Sequence, residues 1–248
     1  MKFLNPFIKR IATSNTAKKI LAKEGKRIMA FPNGIELKML SLFKQFNIDV
    51  VLDVGANIGQ YAGYLRHMQY KGAIISFEPL NDAFAELQQK VEKDELWKCY
   101  NYALGKKNEE TFINVSQDSQ SSSILQSTSQ LNNAQSSTVY IKKQPIHVKT
   151  LDSVFDELTK GFKNVYLKID VQGFERDVLE GAENSLTQIK GIQVEMSFVE
   201  LYENEMLFTE MFQFLESKGF FLCALRNGFM DVKTGRLLQA DGIFYKIN

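Results

Sequence analysis

The stretch Val50-Val51-Leu52-Asp53-Val54-Gly55-Ala56-Asn57-Ile58-Gly59 decides the fold. An apolar run of strand length ends in an acid, passes through a glycine-bearing turn and opens a helix. A parallel sheet presents its edge to a nucleoside in this way. Downstream, a second apolar run, Ala73-Ile74-Ile75-Ser76-Phe77, ends in Glu78-Pro79. A carboxylate at the tip of a neighbouring strand can take both hydroxyls of a ribose. Two acids and a tight loop on adjacent strands describe a nucleoside site.

Outward from this centre, strand and helix patterns alternate. A helix over 35–46 precedes the first strand, with Leu37, Leu40 and Phe43 or Lys44 on one face. After the glycine loop, Ile58, Ala62, Leu65 and Met68 keep helical spacing, and Gly72 offers a left-handed cap. The next helix turns Phe84, Leu87 and Val91 inward, capped by Asn81 or Asp82. A third strand spans 97–102. Thr111–Val115 and Val139–Lys149 then read as an antiparallel pair around a Ser/Gln-rich insertion at about 116–138. Such an insertion is either a flexible surface loop or a lid anchored by Ile124, Leu125 and Leu131. A helix capped by Asp152 follows, then a fourth strand, 165–169, which ends in Asp170. Strands at 192–196, 220–225 and 242–247 complete the pattern. The last connection has no room for a crossover helix, so the final strand is antiparallel. The expectation is an α/β, Rossmann-like sheet of seven mostly parallel strands, with helices on both faces.

The chain has 248 residues, 44% of them hydrophobic and 24% charged, with a net charge of +1. One core-bearing domain over 49–248 fits that length. The near-neutral balance argues against nucleic acid as a partner. Charge is concentrated at the start: residues 1–30 hold eight basic side chains against Glu24 alone. Residues 1–48 therefore read as a basic helical extension. It either makes peripheral contact with an anionic membrane or packs on the protein itself. No apolar run is long enough to span a bilayer. Cys99 and Cys223 lie in apolar runs and read as free thiols in a reducing, cytoplasmic compartment.

The glycine loop selects the nucleoside. A dinucleotide fold uses three glycines so that backbone can approach a diphosphate. Here Asn57 stands where the middle glycine would be, which obstructs a diphosphate but not S-adenosylmethionine. On that reading Glu78, with Pro79 beside it, meets the ribose diol, and Asp53 meets the ammonium of the methionine part. Gly55 shapes the loop. The amides of Asn57 to Gly59 meet the carboxylate, and Asn101 and Ala103 flank the adenine. A nicotinamide oxidoreductase and a catalytically silent relative of the fold are the competing readings.

Further motifs occur in order: Asp53–Gln60, Phe77–Pro79, Asn101–Gly105, Thr150–Asp152, Leu167–Glu175, Gly181-Ala182, Val194–Ser197, Leu201-Tyr202 and Asp241–Phe244. Together they resemble the FkbM family of S-adenosylmethionine-dependent methyltransferases, over about residues 50–246. The resemblance implies the class I methyltransferase fold and O-methylation of a hydroxyl on a small molecule, sugar or glycan. Methyl transfer needs an aligned acceptor and a group to take its proton. Asp170 is the first candidate for that role, and Glu175, at the start of the next helix, is the second. With Glu195 they could also supply carboxylates to a Mg2+ ion that acidifies the hydroxyl. Lys168 reads as structural, on the side of the strand away from Asp170. His147 is either a core or edge histidine or a mobile base. Ser121, Ser122 and Ser123 reach the cofactor if the insertion closes.

Overall fold

A computed structural model describes residues 34–247. Of the expected basic extension over 1–48, residues 1–33, which carry its cluster of basic side chains, lie outside the described residues. The site belongs to the compact unit of residues 39–248. Helix α1 (Gly34–Gln45) buries Met39, Leu42 and Phe43. Phe43 meets the rings of Tyr70 and Tyr166 edge-on. Leu40, expected on the buried face, is only partly covered.

The chain continues through β1 (Val50–Val54), α2 (Gln60–His67), β2 (Ala73–Phe77), α3 (Asn81–Val91) and β3 (Trp97–Tyr100). It then leaves the main sheet for β4 (Ala103–Leu104), β5 (Glu109–Ser116), α4 (Ser129–Ala134) and β6 (Tyr140–Lys149). Helix α5 (Leu151–Leu158), β7 (Val165–Ile169), α6 (Glu175–Glu180) and β8 (Ile189–Ser197) resume the alternation. Helix α7 (Phe208–Ser217), β9 (Phe221–Asn227) and β10 (Gln239–Tyr245) end it.

Among the described residues the main sheet has seven strands in the order β3-β2-β1-β7-β8-β10-β9, and β4-β6-β5 form a smaller sheet. Strand β10 runs antiparallel to both of its neighbours, whereas β1, β2, β3, β7 and β8 pair in parallel. The expected architecture is present, and the insertion strands pair as read. Period-two alternation builds two cores. Val50, Leu52 and Val54 face α5, α6 and α7, while Val51 faces α1 and α2. Each fully buried leucine or phenylalanine there contributes roughly 1.5–3 kcal/mol.

Several local expectations change. Gly72 is not left-handed; Gln69 takes that conformation, at φ 67°. Gly72 is small because a Cβ would meet the Tyr70 hydroxyl. Helix α3 has no side-chain cap at its start, because the capping position is Leu80, which offers no acceptor; Asn81 N donates to Gln144 Oε1 at 3.3 Å instead. Thr150 caps α5, while Asp152 accepts from Asn184 and Ser185. The predicted third strand breaks after Tyr100. The Asn101 amide turns back to donate to the carbonyls of Glu78 and Pro79, and the chain crosses to the small sheet. Among the described residues no helix is long and apolar enough to cross a membrane.

Candidate functional site

The C-terminal ends of β1, β2, β7 and β8 open onto one cleft of about 540 Å³, reached by Val54, Phe77, Asp170 and Glu195. That volume suits a nucleoside-sized ligand. The glycine loop forms one wall. Gly55 sits at φ 74°, and a Cβ there would fall 1.9 Å from the Asp170 carbonyl oxygen, so only glycine lets the two strand ends approach. Glu78 is almost fully buried on the cleft wall. Its Oε2 accepts from Asn57 N at 2.7 Å and its Oε1 from Leu80 N at 2.8 Å. Each oxygen keeps acceptor capacity, which a vicinal diol requires. Burial pushes this carboxyl up to about 7. Pro79, Ala103 and Leu104 continue the wall.

Asn57 lines the cleft at φ 47°. Its Oδ1 accepts from Ile58 N, and its Nδ2 donates to Ser119 Oγ at 3.0 Å. The loop amides are engaged by the protein's own acceptors. Asn57 N goes to Glu78, Ile58 N to Asn57 Oδ1 and Gly59 N to the Ala56 carbonyl. The expected carboxylate cradle at 57–59 is therefore already taken. Gly59 lies off the cleft, where a Cβ would strike Trp97 and Leu87. It serves packing. Asn101 likewise braces the strand end rather than lining the cleft.

Asp53 is also placed differently from its expected contact with an ammonium. It is fully buried and absent from the cleft wall, and it accepts from Ser76 Oγ. Lys168 Nζ lies 3.3 Å from Asp53 and 3.5 Å from Asp170 Oδ2, and it donates to the Gly55 carbonyl. Lys168 and Asp170 are two residues apart on an extended chain and so share a side, contrary to the sequence reading. Burial opposes the Lys168 charge, yet the carboxylates of Asp170 and Asp53 hold its pKa above the usual lysine value. Burial raises the Asp53 carboxyl, and Lys168 counters it.

Asp170 lines the cleft, with its side chain 37% exposed. Its Oδ1 accepts from Gln172 Nε2 at 2.9 Å, and the same amide donates to Glu195 Oε2 at 2.9 Å. Gln239 Nε2 also donates to Glu195 Oε2, and the Tyr202 hydroxyl donates to Gln172 Oε1 at 2.7 Å. Glu175 does not reach the cleft. Its Oε1 accepts from Val171 N and Gly173 N, closing the turn that carries Gln172 at φ 56°. Burial pushes its carboxyl up to about 8. Its expected contact with substrate is therefore replaced by a positioning role.

No group of three or more His, Cys, Asp or Glu side chains is arranged to hold a metal among the described residues. Glu175 turns to backbone amides and Glu195 to two side-chain amides, so the expected Mg2+ carboxylates do not converge. His147 is exposed on the outer strand pair beside Glu110, away from the cleft. Ser121 and Ser122 do line it, and Ser123 Oγ donates to the Gln172 carbonyl at 2.6 Å.

Sequence reasoning passed over Lys168, Gln172, Gln239 and Arg226 as cleft residues. The signal for Arg226 was a charge inside the apolar run Phe221–Asn227, opposite Asp241 in register. Arg226 Nε donates to Asp241 Oδ2 at 2.8 Å.

Comparison with known proteins agrees with this architecture. The model of the methyltransferase FkbM domain matches residues 53–222. "Methyltransferase 1" of Beauveria bassiana is 25% identical over 68% of this chain and 71% of its own length. 2-O-methyltransferase NoeI of Sinorhizobium fredii is 29% identical over 63% of this chain and 67% of its own. The crystal structure of methyltransferase FkbM from Methylobacillus flagellatus aligns at a TM-score of 0.52 and 15% identity. The alignment covers 80% of this chain but only 44% of that protein, and it speaks for the fold.

Proposed function

The chain belongs to the FkbM family of methyltransferases, and on that footing we propose that it methylates a hydroxyl of a small molecule, sugar or glycan, with S-adenosylmethionine as donor. The observation that carries the reading is a pair of differently held carboxylates on one cleft. Glu78 is fixed by two backbone amides and keeps lone pairs for a ribose diol. Asp170 stands open to the cleft beside Lys168. Asn57, tied to Ser119, carries a side chain where a dinucleotide fold has glycine, which supports a donor without phosphates over a nicotinamide dinucleotide. The name of the rhizobial relative, a 2-O-methyltransferase, supports a hydroxyl as acceptor. A chain of 248 residues with only two cysteines suits a reducing, cytoplasmic setting.

When bound, S-adenosylmethionine supplies a methyl group already activated on a sulfonium. The chain's residues do the rest. Glu78, Pro79, Ala103 and the loop at Gly55 hold the nucleoside end. Asp170 accepts the acceptor's proton as the new bond forms. A carboxylate is a weak base for a resting alcohol, but the hydroxyl acidifies as its oxygen gains a bond. Lys168 and the Gln172 amide fix the Asp170 carboxylate, and Glu175 fixes the turn beneath Gln172. The serine-rich insertion keeps water from the cleft.

Calorimetry with S-adenosylmethionine tests the donor assignment. Glu78→Ala should weaken binding by about 1–3 kcal/mol, the cost of leaving hydroxyls without their acceptor. Equal affinity in wild type and variant would remove Glu78 from the site.

A further inference from the structure

We infer that the acceptor carries an anionic group and that Arg226 is the residue that reads it. The inference rests on the cleft being the methyl-transfer site, and it narrows the acceptor to acidic hydroxyl compounds. Sheet order sets Glu78 and Gly55 at one end of the cleft and Arg226 at the other, with Asp170 between them. Neighbouring strands stand about 4.8 Å apart, so three spacings separate the strand of Asp170 from that of Arg226. Arg226 thus belongs to the acceptor's half of the cleft, together with Phe229 and Gln239.

Its geometry is that of a prepared anion receptor. Asp241 lies directly across in register, and Nε donates to its Oδ2. Asp241 is buried, oriented by Gln193 Nε2 at 3.2 Å, and does not line the cleft. It holds the arginine from the protein side. Among the described residues both terminal nitrogens of the guanidinium remain without a hydrogen bond, on a side chain 41% exposed. That fork matches a carboxylate or phosphate through two parallel hydrogen bonds.

The rest of the cleft does not compete. Lys168, the other cation on its wall, is 5% exposed and engaged by Asp53 and Asp170. Glu195 is the carboxyl nearest in register, opposite Asp241 on β8. Burial, above all, raises it well above the usual glutamate range. Its Oε2 is occupied by Gln172 and Gln239.

The test uses the full chain with S-adenosylhomocysteine present, titrated in a calorimeter with glucuronate, glucose 6-phosphate and glucose. One or both anions should bind at least about tenfold more tightly than glucose, and the stronger of the two identifies a carboxylate or a phosphate. Arg226→Gln should abolish that preference. Because that variant leaves Asp241 unpaired, the double variant R226Q/D241N is measured beside it. It should fold, bind S-adenosylhomocysteine as wild type does, and still lose the anion preference. Arg236→Gln, at an exposed arginine, should keep it. Equal affinity for glucose and the anions, no anion binding, or a preference that survives in R226Q/D241N overturns the inference. Failure to bind S-adenosylhomocysteine would instead remove the reading beneath it.

Discussion

Asp170 and Glu78 both end strands on the same cleft, but their surroundings give them different work. Glu78 is immobilised by two amides and nearly sealed from water, and burial pushes it up to about 7. A diol is held better by the ionised carboxylate, a stronger acceptor than the neutral acid. Donor affinity should therefore fall as pH drops below about 7 and level off above it. Isothermal titration from pH 5.5 to 8.5 reads this directly, and Glu78→Gln should flatten the profile. A flat wild-type profile would count against Glu78 as the diol's partner. Asp170 is open to the cleft and braced by Lys168 and Gln172. Asp170→Asn keeps the shape but cannot take a proton, so turnover should fall about 10²–10⁴-fold with donor affinity unchanged. Full activity in that variant would remove the base assignment.

At the scale of elements, the insertion between β5 and β6 is the part whose composition misleads most. Its serines, glutamines and asparagines show no period, because they satisfy one another and the backbone locally. Asn114 Nδ2 donates to the carbonyls of Ser123, Ile124 and Leu125, and Tyr140 donates to Leu125 O. Two ties carry the segment onto the site: Ser119 to Asn57, and Ser123 to the Gln172 carbonyl. Removing both in Ser119→Ala/Ser123→Ala forfeits about 1 kcal/mol per bond. Hydrogen exchange at residues 118–128 should quicken while β1, β7 and β8 stay protected, and S-adenosylmethionine should bind several-fold more weakly. Unchanged exchange would mean the loop is held by something else. The strands, by contrast, were legible. Val50–Val54, Ala73–Phe77 and Val165–Ile169 are apolar runs with clear ends, and their terminal residues announce the cleft. Contacts made only across the sheet were hidden. Arg226 with Asp241, and Glu195 with Gln239, depend on the register of β8, β10 and β9, which no local pattern states. Glu175 misled for a related reason: an acid at a helix start is favoured by the helix dipole, and nothing local reveals that its carboxylate folds back onto Val171 and Gly173.

For the molecule as a whole, the fold gathers carboxyls at one end of a buried sheet, and that concentration sets its stability against pH. Glu78 is pushed up to about 7 and Glu175 to about 8, each by burial above all, from an ordinary glutamate value of 4.5. Between pH 4.5 and these raised values the folded chain keeps protons that the unfolded chain has released. The unfolded state binds fewer protons there, so stability must fall as pH rises through the window. Asp94 and Asp152 are shifted the other way, Asp94 chiefly by Arg66 and Asp152 by hydrogen bonds from Ser185 and Asn184 that outweigh its burial. Their contribution is lost only in stronger acid, below the ordinary aspartate value of 3.8. Lys168 acts far above the window. The melting temperature should therefore decline from pH 5 to pH 8. Glu175→Gln still presents an oxygen to Val171 N and Gly173 N but carries no titrating proton, so it should make the decline shallower. Differential scanning calorimetry across that range decides the matter. A melting temperature that climbs toward pH 8, or a Glu175→Gln profile parallel to wild type, would show that the turn beneath Gln172 is held by an ionised carboxylate.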